Sequence, residues 1–121
     1  MAEYLPIHTP GQAVTYTAGA AITGGQLVYI SGVNTVSPTT AASAAVVGVA
    51  GHDAASGAKV LVYTGEVQEV TAANAVTAGQ TLEAAAAGQV TPHTNGTNDC
   101  NIVGVAVTTA ALGAKVRFQK R

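Results

Sequence analysis

Two histidine-containing stretches hold the residue types that acid–base or metal chemistry draws on. In the first, His52 is followed by Asp53, a base beside a carboxylate that could orient it. Neighbours on an extended chain point apart, however, and no serine or cysteine stands in a nucleophile motif. The pair therefore reads as a solvated turn. In the second, His93, Asp99 and Cys100 share a loop with Asn95-Gly96-Thr97-Asn98. Their spacing matches neither a zinc nor an EF-hand pattern, so the loop is expected to hold no metal. A third stretch, Lys115 to Arg121, carries four of the five basic residues and could meet an acidic patch on a partner. Nucleic-acid binding would need more cations and several stacking aromatics, and Phe118 stands there alone. The expectation is a chain with no catalytic, cofactor-binding or metal-ligating residues.

The elements that place these stretches occur twice. Val47-Gly48-Val49-Ala50 and Gly57-Ala58-Lys59-Val60 return as Val103-Gly104-Val105-Ala106 and Gly113-Ala114-Lys115-Val116, since 103 − 47 and 113 − 57 both give 56. Upstream, Ala21 to Gln26 matches Ala75 to Gln80, and Val36-Ser37-Pro38 matches Val90-Thr91-Pro92, at an offset of 54 (75 − 21 and 90 − 36). A two-residue insertion before Val103 reconciles the offsets. The chain is thus expected to be one all-β domain over residues 12–121, with copy one at about 12–65 and copy two at about 66–121. Glycine punctuation predicts short strands near Gln12 to Thr17, Gln26 to Ser31, Ala45 to Ala50 and Lys59 to Tyr63, then Val67 to Thr71, Gln80 to Ala84, Ile102 to Val107 and Lys115 to Gln119. The alanine runs at Ala41 to Ala45 and Ala84 to Ala87 are too short for a stable helix, although one helical turn fits at either.

Residues 1–11 lie outside the repeat, and Pro6 and Pro10 disfavour helix or central strand there. They read as an extended arm bearing Tyr4, Leu5 and Ile7. The segment Met1 to Pro6 has neither the basic region nor the apolar core of a signal peptide, and no apolar run is long enough for a membrane helix. Charged residues make up 9% of the chain, against roughly 25% in ordinary soluble domains, so its surface repels other proteins weakly. Cys100 is the sole cysteine, which leaves no intrachain disulfide.

Laying one copy over the other sorts the two faces of each strand. Val28 and Ile30 correspond to Leu82 and Ala84, and Ala58, Val60 and Val62 to Ala114, Val116 and Phe118, apolar in both copies and expected inside. The opposite face carries Thr81, Glu83, Lys115, Arg117 and Gln119 in copy two, but Leu27, Tyr29, Lys59, Leu61 and Tyr63 in copy one. Apolar residues where solvent is expected mark a contact surface, with covering by the N-terminal arm as the alternative. Tyr4, Leu5, Ile7, Leu27, Tyr29, Leu61 and Tyr63 are therefore the candidate partner or oligomer interface.

Val76-Thr77-Ala78-Gly79-Gln80-Thr81-Leu82 resembles the turn and strand of biotinyl and lipoyl carrier domains, yet Thr64 to Asn74 lacks the lysine that such a domain would carry between its halves. A closer resemblance rests on Gly11 to Ala18, the turn Gly25-Gln26-Leu27-Val28, Val47-Gly48-Val49-Ala50, and Gly57 to Val67. In this order, duplicated and spanning about Gly11 to Gln119, they resemble the head-decoration, or capsid cement, proteins of tailed phages. That resemblance implies a β-clip or β-tulip type domain with an extended N-terminal arm and no enzymatic activity. It also implies a homo-oligomer, with a trimer favoured, made in the host cytoplasm and seated on the exterior of the virion. There its partner would be the major capsid protein, and it would bridge neighbouring capsomers of the expanded head, without nucleic acid or membrane. The rival reading, a small-ligand or carbohydrate-binding β domain, would need polar groups converging on a few aromatics drawn from Tyr16, Tyr29, Tyr63 and Phe118.

Overall fold

Alternation of apolar and polar side chains sets the strands, and it is cleanest near the C-terminus. Along Lys115–Lys120, Val116 and Phe118 are buried while Lys115, Arg117 and Gln119 face solvent. The computed structural model describes residues 13–65 and 67–120; the expected arm, with Tyr4, Leu5 and Ile7, lies outside them. The strands are β1 (Ala13–Ala18), β2 (Leu27–Gly32), β3 (Thr35–Pro38), β4 (Val46–Ala50), β5 (Lys59–Tyr63), β6 (Val67–Thr71), β7 (Thr81–Ala84), β8 (Val90–Pro92), β9 (Ile102–Ala106) and β10 (Lys115–Lys120). The eight expected strands are all present, each within a residue of its expected ends. β3 and β8 were not expected. Each is short and ends in proline, so neither shows the alternating run that marks a strand. Of the two alanine runs, the second forms a 3-10 turn at Ala86–Gly88, and the first forms no helix.

The strands form two sheets of the same plan. β1 to β5 close a barrel in the order β1-β3-β2-β4-β5, and β6 to β10 form a sheet in the order β6-β10-β9-β7-β8. Each pairing of the second sheet reproduces one of the first. The barrel closes through the parallel pair β1–β3, with Thr17 opposite Thr35 and Ala18 opposite Val36. In the second sheet that closure shrinks to one bridge, Ala72 to Val90. Turn geometry repeats as well, Gly25 N–H donating to the Ala50 carbonyl and Gly79 N–H to that of Ala106, both at 2.8 Å.

The duplicated Val-Gly-Val-Ala segments are sites of irregular pairing. The β2–β4 register shifts between Val28 and Tyr29, and the β7–β9 register between Leu82 and Glu83, which leaves Val47 and Val103 as the extra residues of two bulges. A Cβ on Gly48 would overlap the Tyr63 carbonyl oxygen, and one on Gly104 that of Gln119. The motif recurs because both bulges press a strand against its neighbour's backbone, where no side chain fits.

Two apolar clusters result. Ala18, Ile22, Val28, Val36, Ala50, Val60 and Val62 fill the barrel. The larger cluster joins Val70, Leu82, Val90, Val116 and Phe118 of the second half with Leu27 and Val49 of the first. This corrects the placement of Leu27. It does point away from Val28, but the second sheet covers it completely, and it is fully buried. Ile30 is also corrected: beyond the bulge it is exposed, as are the expected inward residues Ala58 and Ala114 at the starts of their strands. Thr39 stitches the halves together, its Oγ1 donating to the Ala85 carbonyl at 2.8 Å while its own carbonyl accepts from Gly88 N–H at 3.1 Å.

Candidate functional site

His52 and Asp53 occupy the turn after β4, and neither is free for catalysis. His52 Nε2 accepts the Leu61 N–H at 3.2 Å, which leaves the proton on Nδ1 to be donated to the Asp53 carbonyl oxygen at 2.8 Å. The Asp53 carboxylate instead accepts Gly24 N–H at 2.8 Å. In the second half Thr108 Oγ1 accepts Arg117 N–H at 3.0 Å and Thr109 Oγ1 accepts Ala78 N–H at 3.1 Å. The imidazole and carboxylate thus do what two hydroxyls do in the other copy, satisfying backbone donors that the strands leave over.

His93 is different. It lies at the end of β8, at the position of Thr39 in the first half, and its side chain is only 2% exposed. Nδ1 meets Glu83 Oε2 and Nε2 meets Asp99 Oδ1, each at 2.9 Å. Hydrogen bonding to Asp99, then to Glu83, raises its pKa above the ordinary 6.5, against the opposing effect of burial. The same contact, helped by Gly96 N–H, lowers that of Asp99. Beside them lies a depression of about 250 Å³ lined by Ala42, Glu83, His93, Thr94, Thr97, Asn98 and Asn101. Both ring nitrogens already face carboxylates, so the imidazole offers no lone pair to a metal. Among the described residues no group of three or more potential ligands is arranged to hold a metal ion. Cys100 is exposed at the edge of this loop.

Glu83 was not singled out from the sequence, although the repeat carried the signal. The first half has Tyr29 and Thr39 where the second has Glu83 and His93. Two neighbouring positions that turn ionisable together are a charge pair in the making.

The apolar candidates divide. Leu27 is buried, Tyr29 is half-buried, and Leu61 and Tyr63 are 39% and 48% exposed on the outer side of β5. At the corresponding places on β10 stand Arg117 and Gln119, and Arg117 Nε pairs with Glu69 Oε2 at 3.2 Å. The outer surface is therefore apolar at β5 and charged at β10. Phe118, fully buried in the second cluster, cannot share a surface pocket with Tyr63.

A family model for phage cement proteins matches residues 8–119, almost the whole chain. The chain belongs to the phage cement protein family. This is a structural family of the phage capsid rather than an enzymatic one, in keeping with the backbone-capping role of His52 and Asp53. Among solved structures, the chain is similar to the head fiber gp8.5 N base of bacteriophage phi29, with a TM-score of 0.66 and 22% identity over 91% of this chain and 93% of that one. None of the curated proteins matches it. In this cement protein the exposed apolar pair on β5 is one place where the two halves of the repeat differ in surface character.

Proposed function

We propose that the protein binds the outer surface of a phage capsid and stabilises the expanded head by bridging neighbouring capsomers, with the major capsid protein as its partner. The observation that carries this reading, given membership of the cement family, is the exposed pair Leu61 and Tyr63 on a face that is charged in the other copy. Buried interface cores favour aromatic and aliphatic anchors over charges, and β5 supplies such anchors. Tyr29, half-buried on β2, is included in the same proposed contact surface. Tyr4, Leu5 and Ile7 on an extended arm of residues 1–11, ahead of a single domain of residues 12–121, complete the proposed contact set. The working unit in this reading is a homo-oligomer, with a trimer favoured, because subunits linked on a lattice of repeated sites gain effective concentration. Its place is the capsid exterior.

The double substitution Leu61→Ser with Tyr63→Ser tests this reading. Co-sedimentation with expanded empty heads is expected to weaken by about tenfold or more, since truncating an interface anchor commonly costs above about 1 kcal/mol. Unfolding should barely change, because both side chains are exposed. Light scattering on the same variant separates subunit contacts from capsid contacts. Head binding and oligomer mass both equal to wild type would overturn the assignment of this face.

A further inference from the structure

The inserted loop of the second half is tied down by a single buried side chain. A neutral imidazole has one donor nitrogen and one acceptor nitrogen, whereas His93 places both of its nitrogens 2.9 Å from carboxylate oxygens. With both acids ionised, the unprotonated nitrogen would set lone pair against lone pair. At 2% side-chain exposure no water can stand between them. The two contacts therefore exist together only while the ring is an imidazolium.

We propose that residues 94–101 form a pH-sensitive latch, closed by the charged His93 between Glu83 and Asp99 and released when His93 loses its proton. The two carboxylates are the charged groups that act on the ring, Glu83 from β7 and Asp99 from the loop. Asp99 is the partner that leaves. Its side chain is 57% exposed against 25% for Glu83, so water solvates the departing carboxylate readily. Asp99 Oδ1 also accepts Gly96 N–H at 2.8 Å, so its departure undoes the turn at Gly96 as well. The bond from Thr81 Oγ1 to Asn95 Oδ1, at 2.7 Å, anchors the near end of the loop and confines the motion to residues 96–101. Ala42 of the first half lines the same depression, so the loop borders the joint between the two copies.

The sign follows from the direction of each shift. His93 is raised above 6.5, so its contribution is complete below that value and fades as pH rises through the raised one. Asp99 is lowered from 3.8, so its contribution fades only as pH falls through the lowered value. The latch is closed between these limits and opens on the alkaline side. This inference is independent of how the protein seats on a capsid.

Nuclear magnetic resonance of the full chain from pH 5 to 9 tests it, following the His93 ring nitrogens together with amide exchange at Gly96 and Asn101, corrected for intrinsic base catalysis. In the wild type both nitrogens should carry protons through pH 6.5. Protection of Gly96 should then fall in the same step as deprotonation, by about tenfold for each unit that the pKa stands above its ordinary value. In Asp99→Asn, His93 should titrate lower and the step in Gly96 protection should vanish, and His93→Gln should lack the step altogether. Titration of wild-type His93 at or below 6.5 would overturn the proposal, as would Gly96 protection that stays constant through the titration.

Discussion

Gly104→Ala is expected to destabilise the protein by about 3 kcal/mol or more, and Gly48→Ala to do the same in the other half. One methyl group is a small change, but its neighbour here is backbone. At Gly104 it would fall on the Gln119 carbonyl oxygen and crowd the Phe118 ring, and at Gly48 on the Tyr63 carbonyl oxygen. A flexible side chain could move aside at modest cost. Moving a carbonyl instead means parting β9 from β10, or β4 from β5, at the bulge that sets the register of the next strand. Gly113→Ala is the control, because that residue has φ of +84° but nothing within 4 Å of a built Cβ. It should cost only the left-handed backbone penalty, about 1–2 kcal/mol. Chemical denaturation of the three variants checks the order. Equal losses at Gly104 and Gly113 would mean that conformational preference, rather than close approach, explains the Val-Gly-Val-Ala motif.

The fold was legible because the chain states it twice. Any one strand, such as Ile102–Ala106, is too short and too rich in small residues to stand alone as evidence, but the constant offset from Val46–Ala50 converts two weak signals into one strong one. What the duplication could not reveal is where the copies differ in use. Leu27 and Thr81 share a position in the repeat. Leu27 is sealed under the second sheet, while Thr81 is half-buried and bonded to Asn95. Two copies related by a sequence offset still have to pack against each other, and that contact takes a different face from each.

The same limit applies to the site. Leu61 and Tyr63 were readable as misplaced apolar residues because their counterparts Arg117 and Gln119 are polar, and the structure does leave them exposed. Leu27 satisfied the same criterion and failed it in space. Strand alternation fixes the face a residue occupies but not what lies on that face. His93 and Asp99 stood out as titratable residues in one loop, yet their role came from Glu83 on another strand, brought within reach by the antiparallel pairing of β7 with β8.

Leu27→Ala is the second substitution with a large expected effect, a loss of about 2–5 kcal/mol. Leu27 is among the largest fully buried side chains and lies in one cluster with Val49 and the inward residues of the second sheet. Truncating it opens a cavity at the joint between the halves, and neither can close that cavity without shifting a bulged strand. Leu61→Ala, the same change on the exposed face, should cost well under that, because its side chain remains partly in water when folded. Urea unfolding separates these outcomes: a lower midpoint with an unchanged slope for Leu27→Ala means that the two halves unfold as one unit joined through this residue. A loss no larger than that at Leu61 would place Leu27 outside the shared core. Val49 and three hydrogen bonds, from Gln26 Nε2 to the Ala87 carbonyl, from Thr39 Oγ1 to the Ala85 carbonyl and from Gly88 N–H to the Thr39 carbonyl, would then be left to join the sheets, each bond worth about 1 kcal/mol. Such a joint would be too weak to hold the second sheet, whose own edges meet at the single bridge between Ala72 and Val90. The barrel closes by itself, but the second sheet packs over Leu27, and on this dependence the duplicated chain is expected to unfold as one unit.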